Sequence, residues 1–180
     1  TTNKLKLKLE IKDSDIVFIL PSRLASWKGH ELFLENIAKS NFKKINSLKI
    51  IFFSNNSKLS LKVKKLASNL GLNNNLIITN ETHDIRVYYS LCDMVISSSL
   101  RPEGFGRTVS EALSMGKLLI APNQGGTKEQ LSEFDKNLLY DVSSLESFKK
   151  ALVYSVDNLK IDISKRRNFI ISKFSLSSMI

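Results

Sequence analysis

Ile16-Val17-Phe18-Ile19-Leu20, running into Pro21-Ser22-Arg23-Leu24-Ala25-Ser26-Trp27-Lys28-Gly29, sets the architecture of this chain. Five apolar residues in a row suit a strand covered on both faces, and such strands belong to parallel sheets flanked by helices. Gly29 to Ser40 follows with helical periodicity, and Leu32, Leu34, Ile37 and Ala38 are its candidate core positions. Strand, polar loop and helix in that order make the first half of a βαβ unit.

The same alternation continues outward. Strands are expected at Lys49–Phe53, Leu76–Ile78, Met94–Ile96, Leu118–Ala121 and Leu138–Tyr140. Helices are expected at Leu59–Leu70, Asp84–Cys92, Arg107–Met115, Leu145–Val156 and Ile163–Phe174, with Gly71 and Gly116 closing two of them. The implied fold class is α/β: a Rossmann-like, doubly wound parallel sheet of about six strands with helices on both faces. No repeat, linker or low-complexity stretch divides the 180 residues, so residues 1–180 read as one domain, with 1–14 as a lead-in. Within that lead-in, Lys4 to Ile11 alternates polar with apolar, as an edge strand or extended segment would, with a basic membrane arm as the sharper alternative. Lys12-Asp13-Ser14-Asp15 reads as a turn.

Composition narrows the function classes. The 42% hydrophobic content is that of a globular protein, which argues against disorder. No apolar run approaches the roughly 20 residues that cross a bilayer. Thr1-Thr2-Asn3-Lys4 lacks the apolar core of a leader, so the expected location is cytoplasmic, including the inner face of the membrane. The single cysteine, Cys92, has no internal disulfide partner and reads as a packed side chain. A net charge of +10 raises a nucleic-acid reading. Against it, the cations are scattered over Lys4-Lys6-Lys8, Lys43-Lys44, Lys62-Lys64-Lys65, Lys149-Lys150 and Lys165-Arg166-Arg167, most of them on solvated helix faces. No nucleic-acid partner is expected. Attraction to an anionic membrane surface fits better, at about 1 kcal/mol per cation.

Two clusters carry the chemistry. Arg23 and Lys28 follow the first strand; the guanidinium fork matches phosphate geometry and the ammonium adds a point charge. Gly29 beside them permits close approach of a ligand or another backbone. The second cluster is Glu103-Gly104-Phe105-Gly106-Arg107-Thr108-Val109-Ser110-Glu111, two glutamates with seven residues between them around a Gly-Phe-Gly turn. That turn leaves backbone N–H groups at the start of a helix, a ready anion site, with Arg107 adding charge and Thr108 a hydroxyl. Glu111 lies in that helix and leans back toward its start, in a stretch that reads as semi-buried. In a sheet of order 3-2-1-4-5-6 the loops after strands one and four flank the switch point, so both clusters face one crevice. After strand five, Gly125-Gly126 would bring further N–H groups near a ligand, with Glu129 behind them. His30 and His83 lack metal-ligand spacing. His83 lies after strand three, near Thr79-Asn80-Glu81, either on the wall of a base pocket or as a surface histidine.

On these motifs the chain, from about Asp15 to Phe174, resembles the C-terminal, nucleotide-binding domain of the group 1 (family four) retaining glycosyltransferases. The likeness rests on Arg23 with Lys28-Gly29, the Ser98–Gly106 loop, Glu103 paired with Glu111-Ala112, and Gly125-Gly126 with Glu129. Leu20-Pro21-Ser22-Arg23-Leu24 with Trp27-Lys28-Gly29 is most similar to bacterial members that build lipopolysaccharide or capsule. The resemblance implies that Arg23 and Lys28 hold the donor diphosphate, that Glu103 contacts the donor sugar, and that these three are the catalytic residues. It implies that Glu111 holds the ribose and that the backbone at Phe105, Gly106, Arg107 and Thr108 cradles the distal phosphate. No cofactor and no metal are implied, the donor being a nucleotide-diphosphate sugar and the two cations balancing the leaving phosphate. Ser22 and Asn80 stand where the family often has glycine. The acceptor saccharide or lipid-linked glycan would bind to a first domain that this sequence lacks, and the end of the last helix, which crosses back to that domain, is expected to be missing too. A non-catalytic nucleotide-sugar module working with a partner chain is the second reading, and a basic nucleic-acid binder the third.

Overall fold

The structure, a computed structural model, describes residues 2–174; the rest of the expected 1–180 domain, Thr1 and 175–180, lies outside the described residues. The chain runs α1 (Thr2–Lys8), β1 (Ile16–Arg23), α2 (His30–Lys39), β2 (Leu48–Phe53), α3 (Ser57–Asn69), β3 (Leu76–Thr79), α4 (Arg86–Leu91), β4 (Met94–Ile96), α5 (Arg107–Ser114), β5 (Leu118–Pro122), α6 (Gly125–Phe134), β6 (Leu139–Tyr140), α7 (Leu145–Asp157) and α8 (Ile163–Phe174). The six strands lie in the order β3-β2-β1-β4-β5-β6. Every neighbouring pair is parallel. This is the doubly wound sheet that the strand and helix alternation implies, with the order reversing between β1 and β4.

The pleat divides each strand between two cores. Phe18 and Leu20 of β1, Leu48, Ile50 and Phe52 of β2, Met94 and Ile96 of β4 and Ile120 of β5 face one layer, with Phe33, Leu34 and Ile37 of α2, Val63 of α3 and Phe148 of α7. Val17, Ile19, Ile51, Phe53, Val95, Leu119 and Ala121 face the other, with Tyr89, Val109, Leu113, Leu131 and Ile170. On α2 the expected core positions Leu34 and Ile37 are buried, and Phe33 joins them, while the expected Leu32 and Ala38 are only half-buried.

Two elements depart from expectation. Lys4–Ile11 contributes no strand: Thr2–Lys8 is helical. Alternation puts Leu5 and Leu9 four apart, and on a helix that spacing shares one face. Both pack on the second core layer, whereas Leu7 is left 80% exposed. Lys and Leu are also good helix formers without β-branching. The other departure is β1, which continues past Leu20 to Arg23 through a register shift. Pro21 lacks an N–H for the ladder, and a bulge is where a sheet tolerates it. The shift delivers Arg23 opposite Phe53 at the exit of the strand.

Arg166 corrects another expectation, since it is 2% exposed rather than on a solvated face. Its guanidinium donates to the carbonyls of Gly116 at 2.8 Å, Asn158 at 2.9 Å, Leu159 at 2.9 Å and Ile161 at 2.6 Å. These carbonyls lie just beyond the C-terminal ends of α5 and α7, where a cation is favoured. Cys92 is buried as expected, and burial pushes its thiol up to about 12, away from reactivity.

Candidate functional site

Four backbone and side-chain contacts bring the loops after β1 and β4 together. Leu100 N–H donates to the Trp27 carbonyl at 2.8 Å, and the Ser98 hydroxyl donates to the Lys28 carbonyl at 2.8 Å. Gly29 sits at φ 69°, and a Cβ there would lie 1.9 Å from the Ser98 carbonyl oxygen. Its freedom therefore serves the approach of the neighbouring loop's backbone, and its place is beneath the site. Across the seam the Lys28 ammonium meets the Glu103 carboxylate at 2.8 Å, with side chains 15% and 18% exposed. Lys28 belongs to a single 3₁₀ turn, Ser26–Lys28, just before α2, and its ammonium also lies 4.2 Å from the centre of the Trp27 ring.

Between the loops lies a cleft of about 530 Å³, lined by Pro21, Ser22, Arg23, Trp27, Lys28 and the run Glu103 to Thr108, and closed by Glu111. That volume lies in the range of small-molecule sites, about 300–1,000 Å³. Arg23, Lys28, Glu103, Gly104, Phe105, Gly106, Arg107, Thr108 and Glu111 all line it, so nine expected site residues converge on one cavity. Three cations and two carboxylates leave the walls net positive. Gly106, at φ 74°, caps α5 from the left-handed region. Among the described residues the N–H groups of Gly106, Arg107 and Thr108 have no acceptor. Cationic side chains and an uncapped helix start together suit an anion with more than one charge.

Gly126 stands differently from its expected role. Its N–H donates to the Glu103 carbonyl at 2.8 Å, and a Cβ there would lie 2.4 Å from the Gly104 carbonyl oxygen. The Gly125-Gly126 pair lets α6 press against the underside of the Glu103–Gly106 loop, which engages the donor that was expected to face a ligand. Glu111 is exposed on α5 while Ala112 and Leu113 are buried, so only part of that stretch is sheltered. Asn80, Glu81 and His83 are exposed and lie outside the cleft wall.

The structure adds residues that the spacing did not reveal. Tyr89, 1% exposed on α4, donates its hydroxyl to Glu111 Oε2 at 2.9 Å. Burial, and then the Glu111 carboxylate, keep the phenol protonated well above its usual range. Ser99 donates to Glu103 Oε1, the oxygen that Lys28 also contacts. Gln130 of α6 donates to the Phe105 carbonyl from beneath. The sequence places Tyr89 within the expected Asp84–Cys92 helix, but nothing in it connected the hydroxyl to a carboxylate 22 positions away.

Fold and site define a Rossmann-like domain whose switch-point cleft presents cations, helix N–H groups and carboxylates to one ligand. The chain belongs to the group 1 glycosyl transferases, whose family profile matches residues 1–171. A glycosyltransferase from Rickettsia africae is 30% identical and superposes with a TM-score of 0.86 over 99% of this chain and 48% of that one. Anabaena HepE, solved in complex with UDP-glucose, is 22% identical, with a TM-score of 0.78 over 96% of this chain and 48% of its own. WaaG, a glycosyltransferase involved in lipopolysaccharide biosynthesis, is 14% identical, with a TM-score of 0.77 over 98% and 48%. The chain thus spans about half the length of these proteins. No curated protein sequence matches it.

Proposed function

We propose that this chain is the donor-binding half of a retaining, metal-independent glycosyltransferase that acts in building bacterial lipopolysaccharide or capsule. The Lys28–Glu103 pair, at 2.8 Å across 75 positions of sequence, carries the reading, because it sets a phosphate-binding cation and a hydroxyl-binding carboxylate side by side in the cleft. An ammonium has three donors, so Lys28 can keep Glu103 and still donate to a diphosphate. Arg23, at the end of β1, closes on that diphosphate from the same side as Lys28, and the α5 N-terminus faces it from the other loop. As the glycosidic bond breaks, negative charge grows on the leaving phosphate oxygen, and these preorganised groups stabilise it. Glu103 accepts from a hydroxyl of the donor sugar, and Glu111 from the ribose.

HepE, solved with UDP-glucose, and WaaG, described as acting in lipopolysaccharide biosynthesis, share this fold and support the reading. The acceptor saccharide or lipid-linked glycan then meets the donor through a second domain, at the cytoplasmic face of the membrane. The net charge of +10 favours contact with an anionic bilayer there, and among the described residues no helix is long and apolar enough to cross one.

Equilibrium binding of UDP-, GDP- and ADP-sugars to the 180-residue chain, with and without a chelator, tests the proposal. One conjugate should bind with equal affinity in both conditions, and the chain alone should transfer no sugar. Binding that disappears with the chelator contradicts metal independence. Transfer by the isolated chain contradicts the division of labour between domains.

A further inference from the structure

Gln130 is 2% exposed, a polar side chain enclosed between α5, α6 and the Glu103–Gly106 loop. Its Nε2 donates to the Phe105 carbonyl and reaches the Gly106 carbonyl at 3.4 Å. Its Oε1 accepts from the Ser110 hydroxyl of α5 at 2.7 Å. Backbone carbonyls only accept, so two of them fix which end of the amide faces the loop. One side chain thus satisfies the Phe105 carbonyl and adds a second, longer contact to the Gly106 carbonyl.

Those carbonyls control what the cleft sees. A trans peptide sets its N–H opposite its C=O, and the chain contains no cis peptide among the described residues. Holding the Phe105 carbonyl toward α6 turns the Gly106 N–H away from α6. Holding the Gly106 carbonyl, which also accepts from Val109 N–H at 2.9 Å, does the same for the Arg107 N–H. Both residues line the cleft, to which α6 contributes no residue. We propose that Gln130 is a positioning residue which, by pinning the Phe105 and Gly106 carbonyls, aims the Gly106 and Arg107 N–H groups at the phosphates of the donor. This inference rests on the donor-binding reading above and adds to it a buried side chain that never touches the ligand.

The test uses Gln130→Met, which keeps the volume and removes the donors, and Ser110→Ala, a milder change that frees the far end of the amide. Calorimetry on the 180-residue chain compares UDP, GDP and ADP with the corresponding nucleosides, and amide NMR of the ligand-free chain follows Gly106 and Arg107. Gln130→Met should weaken the bound diphosphate by about tenfold, the effect of one lost hydrogen bond, and leave its nucleoside within about twofold. The Gly106 and Arg107 resonances should shift or broaden while those of the sheet stay in place. Should Gln130→Met fail to fold, Ser110→Ala should show the same selective loss at smaller amplitude. Equal loss for diphosphate and nucleoside, or unchanged loop resonances in a folded variant, overturns the proposal. If the wild-type chain binds none of the diphosphates, the donor reading falls, and a loosened loop in Gln130→Met would still establish the pin.

Discussion

Each carboxylate in the cleft is held by a hydroxyl, Glu103 by Ser99 of its own loop and Glu111 by Tyr89 of α4. A carboxylate with one oxygen anchored keeps the other in a fixed direction for a ligand hydroxyl, which is how a buried neighbour sets specificity. Removing the Tyr89 hydroxyl (Tyr89→Phe) should leave the fold intact, because Glu111 is exposed and water replaces the lost donor. Discrimination between the bound nucleoside diphosphate and its 2′- and 3′-deoxy analogues should fall roughly fivefold, equivalent to about 1 kcal/mol. Competition binding measures this, and unchanged discrimination would separate Tyr89 from ribose recognition. That Arg23, Lys28, Glu103 and Glu111 converge on one cleft was legible from the cations after the first strand, the glutamates spaced around a glycine turn, and the strand order that sets the two loops side by side. Tyr89, Ser99 and Gln130 were not, because an ordinary Tyr, Ser or Gln gains its role from a partner that only folding supplies.

At the scale of elements, strands covered on both faces and helices with apolar stripes were readable because burial on a pleat or helix face imposes a period. The lead-in failed the same test because strict alternation also sets residues four apart, so Leu5 and Leu9 satisfied a helix that docks on the second core layer. The sequence ends β1 at Leu20 because proline reads as a stop, whereas here it sits in a bulge that carries Arg23 to the cleft. Arg166 reads as surface charge because sequence does not show which helix ends gather around it. Arg166→Met should destabilise the chain by about 3 kcal/mol, as four carbonyls lose a shared charged donor in a buried setting. Urea denaturation measures the difference, and a loss under about 1 kcal/mol would show that water satisfies those carbonyls instead.

For the whole molecule, the reversal of strand order between β1 and β4 makes one site from segments 75 positions apart. His30 sits directly under the seam, 1% exposed, edge-on to Phe52, with Nε2 at 3.5 Å from the Ser22 hydroxyl. Burial, helped by the charge of Lys28, lowers its protonation from an ordinary value of 6.5 to about 4. Above pH 6.5 the imidazole is neutral in folded and unfolded chains alike, so its contribution is at its full value. As pH falls toward 4 the unfolded chain takes up the proton first, and about 3 kcal/mol of stability is lost before the effect levels off. His30→Gln should flatten that fall in a pH series of denaturation midpoints, and an unchanged slope would assign it to other groups. The shared cleft itself is tested by calorimetric titration of UDP, GDP and ADP into the wild-type chain and into the Arg23→Ala/Lys28→Ala double variant. One diphosphate should bind the wild type with 1:1 stoichiometry, and the double variant should lose about 3 kcal/mol or more of that binding while its nucleoside affinity is unchanged. Equal diphosphate binding by both proteins, or none by the wild type, would contradict a diphosphate gripped in this cleft by the two cations that follow β1.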